Sequence, residues 1–306
     1  MQEYDLVVVG AGLAGLTAGM FGARYGLRTV VIDQMGAGGQ ILNAEKIENF
    51  PGFPQGVAGY DLGPLVQEQA EGAGCGFMMD SVLSLEIDGD DRILRCAEEE
   101  VRAKGIIIAA GSTMRSLGVP GEERFEGRGV SHCASCDGAF FAGQEVCVVG
   151  GGDSALDEAA VLAEHASRVL VFHRGVALST QQAILQHADS KPNIEVFLNT
   201  RVEEIVGEDQ VTGVRVVDTG SGQSRLEELA GVFVYVGLEP NTRFLQGVLD
   251  LDSTGHIVTN ILMRTSLPGV FAAGDIRSQS VAQLASSVGD GATAAIAAYR
   301  HITRVE

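Results

Sequence analysis

A glycine-rich turn set between two apolar strands occurs twice in this chain, and that repetition constrains the fold more than any other feature. The first copy is YDLVVVGAGLAGLTAGMFGARYGLRTVVID. An apolar strand, Leu6 to Val9, enters Gly10-x-Gly12-x-x-Gly15, an Ala/Gly-rich helix follows, and a second strand ends in Asp33. Gly10 permits a tight turn, Gly12 lets the backbone approach a pyrophosphate, and Gly15 lets helix and strand pack closely. The helix start offers free N–H groups to phosphates, and Asp33 can accept a bond from a ribose hydroxyl. The second copy is QEVCVVGGGDSALDEAAVLAEHASRVLVFHR. Its strand runs from Val146 to Val149, its small residues are Gly150, Gly152 and Ala155, and its second strand ends at His173 and Arg174. Two such units suggest two dinucleotides, commonly a flavin and a nicotinamide. The expected class is α/β, with two Rossmann-like three-layer domains.

Length and charge fit this reading. A chain of 306 residues suffices for two domains. Its formal net charge of −19 disfavours nucleic acid. No apolar run reaches the length of about 18 residues that spans a bilayer, so no membrane partner is expected. MQEYDLVVVG passes into a strand without a basic leader, so no signal peptide is expected. Five cysteines, an odd number, argue for a reducing compartment, and hence the cytoplasm.

A third cluster, GVFAAGDIRSQSVAQLASSVGDGATAAIAAY, reads as a strand over Gly269 to Ala273. A small-residue helix is expected from about Val281 to Tyr299. Asp275 in Gly274-Asp275 can bond a polar ligand group or cap a helix.

The segment VSHCASCDGAFF holds Cys133 and Cys136, with Asp137 directly after. Zinc needs about four ligands, and no second close pair exists. A static disulfide over so short a loop gains little. Thiol–disulfide exchange is the reading the residues favour. Asp137 then serves as a general acid for the leaving thiolate; its plainer alternative is a turn residue before Gly138. Cys147 reads as a core residue, and Cys75 and Cys96 carry no motif.

Together, GAGLAG, GGQI (Gly38 to Ile41), ENFPGF (Glu48 to Phe53), IIAAG (Ile107 to Gly111), CASCDG, GGGDSA, VYVGLEPNT (Val234 to Thr242) and GDI (Gly274 to Ile276) resemble, in order, the low-molecular-weight thioredoxin reductase family of flavoproteins. The resemblance covers nearly the whole chain. It implies an FAD domain at 1–112 and 239–306, and an inserted NAD(P)-type domain at 113–238 that carries the redox pair. It implies FAD contacts at Gly10, Gly12, Ala14, Gly15, Asp33, Gly39, Gln40, Asn49, Asp275 and Gln283. It implies nicotinamide contacts at Gly150, Gly152, Asp153, Ser154 and Arg174. Cys136 would exchange electrons with the flavin and Cys133 would attack the disulfide of thioredoxin or a thioredoxin-like protein. The inserted domain would rotate between two arrangements, and the protein would be a homodimer.

The match breaks in HRGVALSTQQ. NADPH-using members carry several arginines here; this chain keeps Arg174, with Gly175 in place of the second and Ser179 near the third. Ala282-Gln283 likewise stands where members often have Arg-Gln. The donor therefore stays open among NADPH, NADH and neither of these, for example reduced ferredoxin or another flavin source, with the second nucleotide fold kept as a scaffold. The expected activity is an FAD-dependent thioredoxin-disulfide reductase. The alternatives are an FAD-dependent dithiol oxidase that uses oxygen, and a flavin-bound redox sensor.

Overall fold

A computed structural model describes residues 2–89 and 91–305. The chain forms two compact units, Met1–Thr113 with Glu239–Glu306, and Met114–Leu238. Among the described residues no helix is long and apolar enough to cross a membrane.

The first unit opens with β1 (Gln2–Val9), α1 (Leu13–Arg24) and β2 (Thr29–Asp33), a parallel crossover. Next come α2 (Gly59–Gly72), β3 (Gly76–Met79), β4 (Val82–Asp88), β5 (Asp91–Cys96) and β6 (Glu100–Ile108). The strand order is β3-β2-β1-β6-β5-β4. The buried end of β1, Leu6 to Val9, reads as an unbroken apolar run because both faces of the sheet are covered there. Leu6 and Val8 pack with Leu16, Ala18 and Ala294, whereas Val7 and Val9 pack with Leu85, Leu94 and Ile257. Burial of each such side chain contributes roughly 1.5–3 kcal/mol.

From β7 (Ser112–Met114) the chain enters the second unit. That unit contains β8 (Val130–Ser131), α3 (Ala134–Asp137), β9 (Glu145–Gly150), α4 (Asp153–Leu162), β10 (Arg168–Phe172), α5 (Gln182–Asp189) and β11 (Ile194–Phe197). An antiparallel sheet of β12 (Thr200–Gly207), β13 (Val211–Asp218) and β14 (Ser224–Glu228) follows, and then β15 (Gly231–Tyr235). The parallel order is β11-β10-β9-β15-β8. Alternation again splits the residues between two cores: Val146 and Val148 face α4, and Cys147 and Val149 face the β12–β14 side.

After β16 (Leu238–Pro240) the first unit is completed by β17 (Val270–Ala272), which pairs with β6, and by α6 (Leu284–Thr303). The small residues of α1 and α6 let the two helices touch. A Cβ added at Gly291 would stand 2.2 Å from the Ala14 carbonyl oxygen. The helix expected at 281–299 is shifted. Ala282 has φ of 50° and Gln283 is extended, so the helix starts at Leu284. It continues to Thr303 because Ile302 still packs on the core.

Candidate redox-active site

In the first unit a cleft of about 730 Å³ is lined by Gly10, Asp33, Asp80, Ala110, Asn241 and Phe244, among others. It lies beyond the carboxyl ends of β1 and β2, where open α/β sheets bind ligands. Gly10 has φ of 104°, and a Cβ there would stand 2.3 Å from the Ala109 carbonyl oxygen. Gly15 packs on Gly10 so closely that a Cβ would fall 1.9 Å from its oxygen. A Cβ at Gly12 would meet nothing within 4 Å, and no side chain caps α1. An open glycine face beside an uncapped helix start is a cradle for a pyrophosphate, so these residues fit a dinucleotide.

Asp33 is held in place by the turn itself. Its Oδ2 accepts the Ala11 N–H at 2.7 Å, and its Oδ1 accepts Met35 and Gly36 N–H groups at 2.7 and 3.0 Å. Other predicted residues come together from far along the chain. Gly39 packs against the Gly12 backbone, with its Cβ position 3.4 Å from Gly12 Cα. A Cβ at Gly274 would lie 2.9 Å from the Ala14 methyl, which brings Asp275 beside α1. Asn49 Nδ2 donates to Gln283 Oε1 at 3.2 Å, and Gln40 Nε2 donates to the Ser112 carbonyl. Asp275 Oδ1 accepts the Ser280 and Ser287 hydroxyls at 2.9 and 3.4 Å.

Sequence reasoning missed four residues here. Asp80 lines the cleft and accepts N–H groups of Ser81, Ala97 and Glu98. Asn241 Nδ2 donates to the Ala110 carbonyl at 2.8 Å. Arg277 pairs with Asp290, which also accepts the Gly274 N–H at 3.2 Å and so holds the Gly274–Ile276 turn. The signal for Asp290 was present, since it is the one acid within the small-residue helix α6.

In the second unit Cys133 and Cys136 are disulfide-bonded, with Cα atoms 5.3 Å apart. Cys133 is the N-cap of the short helix α3, and its Sγ accepts the Cys136 N–H at 3.2 Å. Ser131, at the end of β8, accepts the Cys133 N–H at 3.1 Å and donates to Asp137 Oδ2 at 2.6 Å. The Ala134 N–H points at Glu158 Oε2 (3.0 Å) and at the Tyr235 hydroxyl (3.1 Å), and that hydroxyl donates to Glu158. Burial, and then the Glu158 carboxylate, push the ionisation of Tyr235 well above its ordinary range, so it stays a neutral donor. Ser131 and Tyr235 lie within VSHCASCDGAFF and VYVGLEPNT but have no role assigned from sequence, and Glu158 lies outside every motif.

Cys147 is fully buried, and Cys75 and Cys96 are also buried free thiols. Among the described residues no group of three or more His, Cys, Asp or Glu side chains comes together to hold a metal ion.

The second glycine turn lies in the same unit. Asp153, at the start of α4, accepts Thr180 Oγ1, Gln181 N and Gln181 Nε2 at 2.9, 2.8 and 2.6 Å. Ser154 and Arg174 are exposed.

Comparison with known proteins agrees with this geometry. Residues 4–292 match the pyridine nucleotide-disulphide oxidoreductase family. The chain is 39% identical over 305 residues to the thioredoxin reductase of Listeria monocytogenes, across 99% of this chain and 95% of that protein. It is 38% identical over 304 residues to the thioredoxin reductase of Treponema pallidum, across 99% of both. The crystal structure of Lactococcus lactis thioredoxin reductase superposes with a TM-score of 0.96 at 38% identity, covering 99% of this chain and 100% of that one. The T. acidophilum thioredoxin reductase gives 0.93 at 37%, covering 98% of each.

Proposed function

The chain belongs to the pyridine nucleotide-disulphide oxidoreductases, and from that premise we propose that it is an FAD-dependent disulfide reductase acting on thioredoxin or a thioredoxin-like protein. The observation that carries this reading is the Cys133–Cys136 disulfide, followed at once by a carboxyl that Ser131 holds in place. The full-length similarity to thioredoxin reductases supports the choice of substrate. We assign 1–112 with 239–306 as the FAD domain and 113–238 as the NAD(P)-type domain that carries the redox pair.

Bound FAD supplies the two-electron carrier that exchanges with the Cys133–Cys136 disulfide. The side chains of the chain do the rest. In the dithiol form the Cys133 thiolate attacks one sulfur of the partner's disulfide. A Cys133–partner S–S bond forms, the partner's S–S bond breaks, and its leaving sulfur takes a proton from Asp137. Cys136 then gives its proton to the ionised Asp137 and attacks the Cys133 sulfur, which re-forms the intramolecular disulfide and breaks the Cys133–partner bond; the partner's second sulfur leaves with that proton from Asp137. Two electrons and two protons have passed from the dithiol to the partner. Ser131 orients Asp137 throughout, and the Glu158–Tyr235 pair fixes the start of α3.

The reading extends to a cytoplasmic homodimer. The odd cysteine count supports the compartment, the family resemblance supports the dimer, and light scattering tests the latter.

The test of the activity is anaerobic mixing of the FAD-loaded protein with oxidised thioredoxin and, in turn, NADPH, NADH or reduced ferredoxin. Thioredoxin thiols should appear with the wild type and not with Cys136→Ser. A Cys136→Ser variant as fast as wild type would refute the mechanism. Oxygen consumption driven by a small dithiol, without thioredoxin reduction, would make the protein a dithiol oxidase instead.

A further inference from the structure

The two glycine turns of this chain are built alike and differ where the nucleotide's ribose is read. Strand register fixes the equivalence: Val9 pairs with Ile32 and Val149 with Phe172, so the next residues, Asp33 and His173, correspond. In the first unit the Asp33 carboxylate accepts the Ala11 N–H, an anionic acceptor at the ribose position. In the second unit the His173 ring lies over Gly151, the counterpart of Ala11. A Cβ at Gly151 would stand 2.2 Å from His173 Nδ1, and one at Gly175 would stand 2.6 Å from Nε2. The imidazole is thus wedged between two glycines. The following loop is tied to the turn: Ser179 N donates to the Gly151 carbonyl at 2.8 Å, and Thr180 and Gln181 donate to Asp153. From Gly175 to Gln181 the loop contains no charged residue.

A 2′-phosphate carries a charge of about −1.5 to −2 and needs charge-assisted donors, best from several arginines. The second unit has nine Lys and Arg against eighteen Asp and Glu. Eight of the nine are engaged. Arg168, Lys191, Arg201, Arg215 and Arg225 pair with glutamates, and Arg115, Arg124 and Arg128 donate to backbone carbonyls. Arg174 is the ninth, exposed and without such a partner among the described residues. One exposed cation raises affinity for an anion by about fivefold at most. The acid excess of the unit works against even that gain.

We propose that the second unit binds a nicotinamide dinucleotide through its glycine turn without reading a 2′-phosphate, so that NADH is accepted at least as well as NADPH. The wedged His173 and the neutral loop Gly175–Gln181 set this specificity. The proposal rests on the assignment of the second unit as the nicotinamide domain.

Calorimetry of the FAD-loaded protein with NAD⁺ and NADP⁺ tests it without turnover. The two dissociation constants should agree within about threefold, or favour NAD⁺. Arg174→Ala should weaken NADP⁺ by less than about fivefold. Ser179→Arg, which places a second exposed cation on the loop, should tighten NADP⁺ by up to about fivefold and leave NAD⁺ unchanged. A wild-type preference for NADP⁺ of about tenfold or more would overturn the proposal, as would no gain from Ser179→Arg. Absence of binding by either dinucleotide would overturn it too. Thioredoxin reduction by protein first reduced with dithiothreitol and then freed of it by gel filtration would still show whether the reductase reading stands.

Discussion

The Ser131 hydroxyl donates to Asp137 Oδ2 at 2.6 Å while it accepts the Cys133 N–H at 3.1 Å. One side chain therefore fixes both the carboxyl assigned to proton transfer and the cysteine assigned to attack. Ser131 is itself 5% exposed and sits in β8, whose pairing with β15 sets its height above α3. A hydrogen bond to a charged group is worth about 1.5–3 kcal/mol. Ser131→Ala should therefore slow thioredoxin reduction about tenfold or more at unchanged KM, with a shifted pH profile, and Ser131→Thr should restore most of the rate. Asp137→Asn should cost about 10² or more in kcat. If Ser131→Ala keeps the wild-type pH profile, the hydroxyl does not orient the acid.

The three free thiols should be inert. Burial pushes the Cys75 thiol up to about 12, and burial with Asp80 and Glu99 pushes Cys96 up to about 11. Burial drives Cys147 higher still. Only a thiolate reacts at an appreciable rate, and at pH 8 its fraction at these sites is very small. The native oxidised protein should thus show almost no reaction with 5,5′-dithiobis(2-nitrobenzoate) over minutes. Denaturation should reveal three thiols, and prior reduction two more. One fast equivalent in the native oxidised protein would contradict this.

What the sequence made legible was local. Gly10, Gly12, Gly15 and Asp33 lie within a single crossover, and their spacing states their geometry before any folding. The same holds for Cys133, Cys136 and Asp137. What it hid was long-range. The Ala134 N–H meets Tyr235 and Glu158 only because β15 and α4 flank α3; Glu158 lies outside every motif, and nothing within VYVGLEPNT points Tyr235 at α3. The start of α6 was misjudged for a backbone reason: Val281-Ala282 looks helical in composition, but Ala282 adopts a left-handed conformation. His173 was visible as a departure from pattern. Its place between Gly151 and Gly175 was not, since that depends on how the loop after β10 folds back.

The Arg277–Asp290 pair should matter more to stability than its surface counterparts. The side chains are 18% and 9% exposed, with Nε–Oδ2 at 2.5 Å and Nη2–Oδ1 at 3.1 Å. Removing one partner of a buried pair leaves an uncompensated charge, at a cost of about 3–5 kcal/mol. Arg277→Ala should lower the melting temperature accordingly. It should also loosen FAD, because Asp290 holds the Gly274 N–H. The exposed pair Lys46–Glu48 serves as the control: Lys46→Ala should change stability by about 0–1 kcal/mol. A loss below about 1 kcal/mol for Arg277→Ala would show that Asp290 finds other partners.

Asp153 gives the second unit an acid-sensitive tether. Burial raises its pKa, but the hydrogen bonds from Gln181 and Thr180 outweigh that and hold the carboxyl below its ordinary value. A depressed folded pKa means that ionised Asp153 stabilises the native state at pH above the unfolded value of about 3.9. That contribution is lost as the pH falls through the lower, folded value. The melting temperature of the wild type should therefore exceed that of Asp153→Asn by a constant amount from pH 7 to about pH 5, and the gap should shrink below about pH 4. The variant should also bind NAD⁺ more weakly at neutral pH, because the loop that Asp153 ties down is bonded to the glycine turn through Ser179 N and the Gly151 carbonyl. A gap that instead widened on acidification would mean that the carboxyl is destabilised by folding, against the hydrogen bonds it accepts.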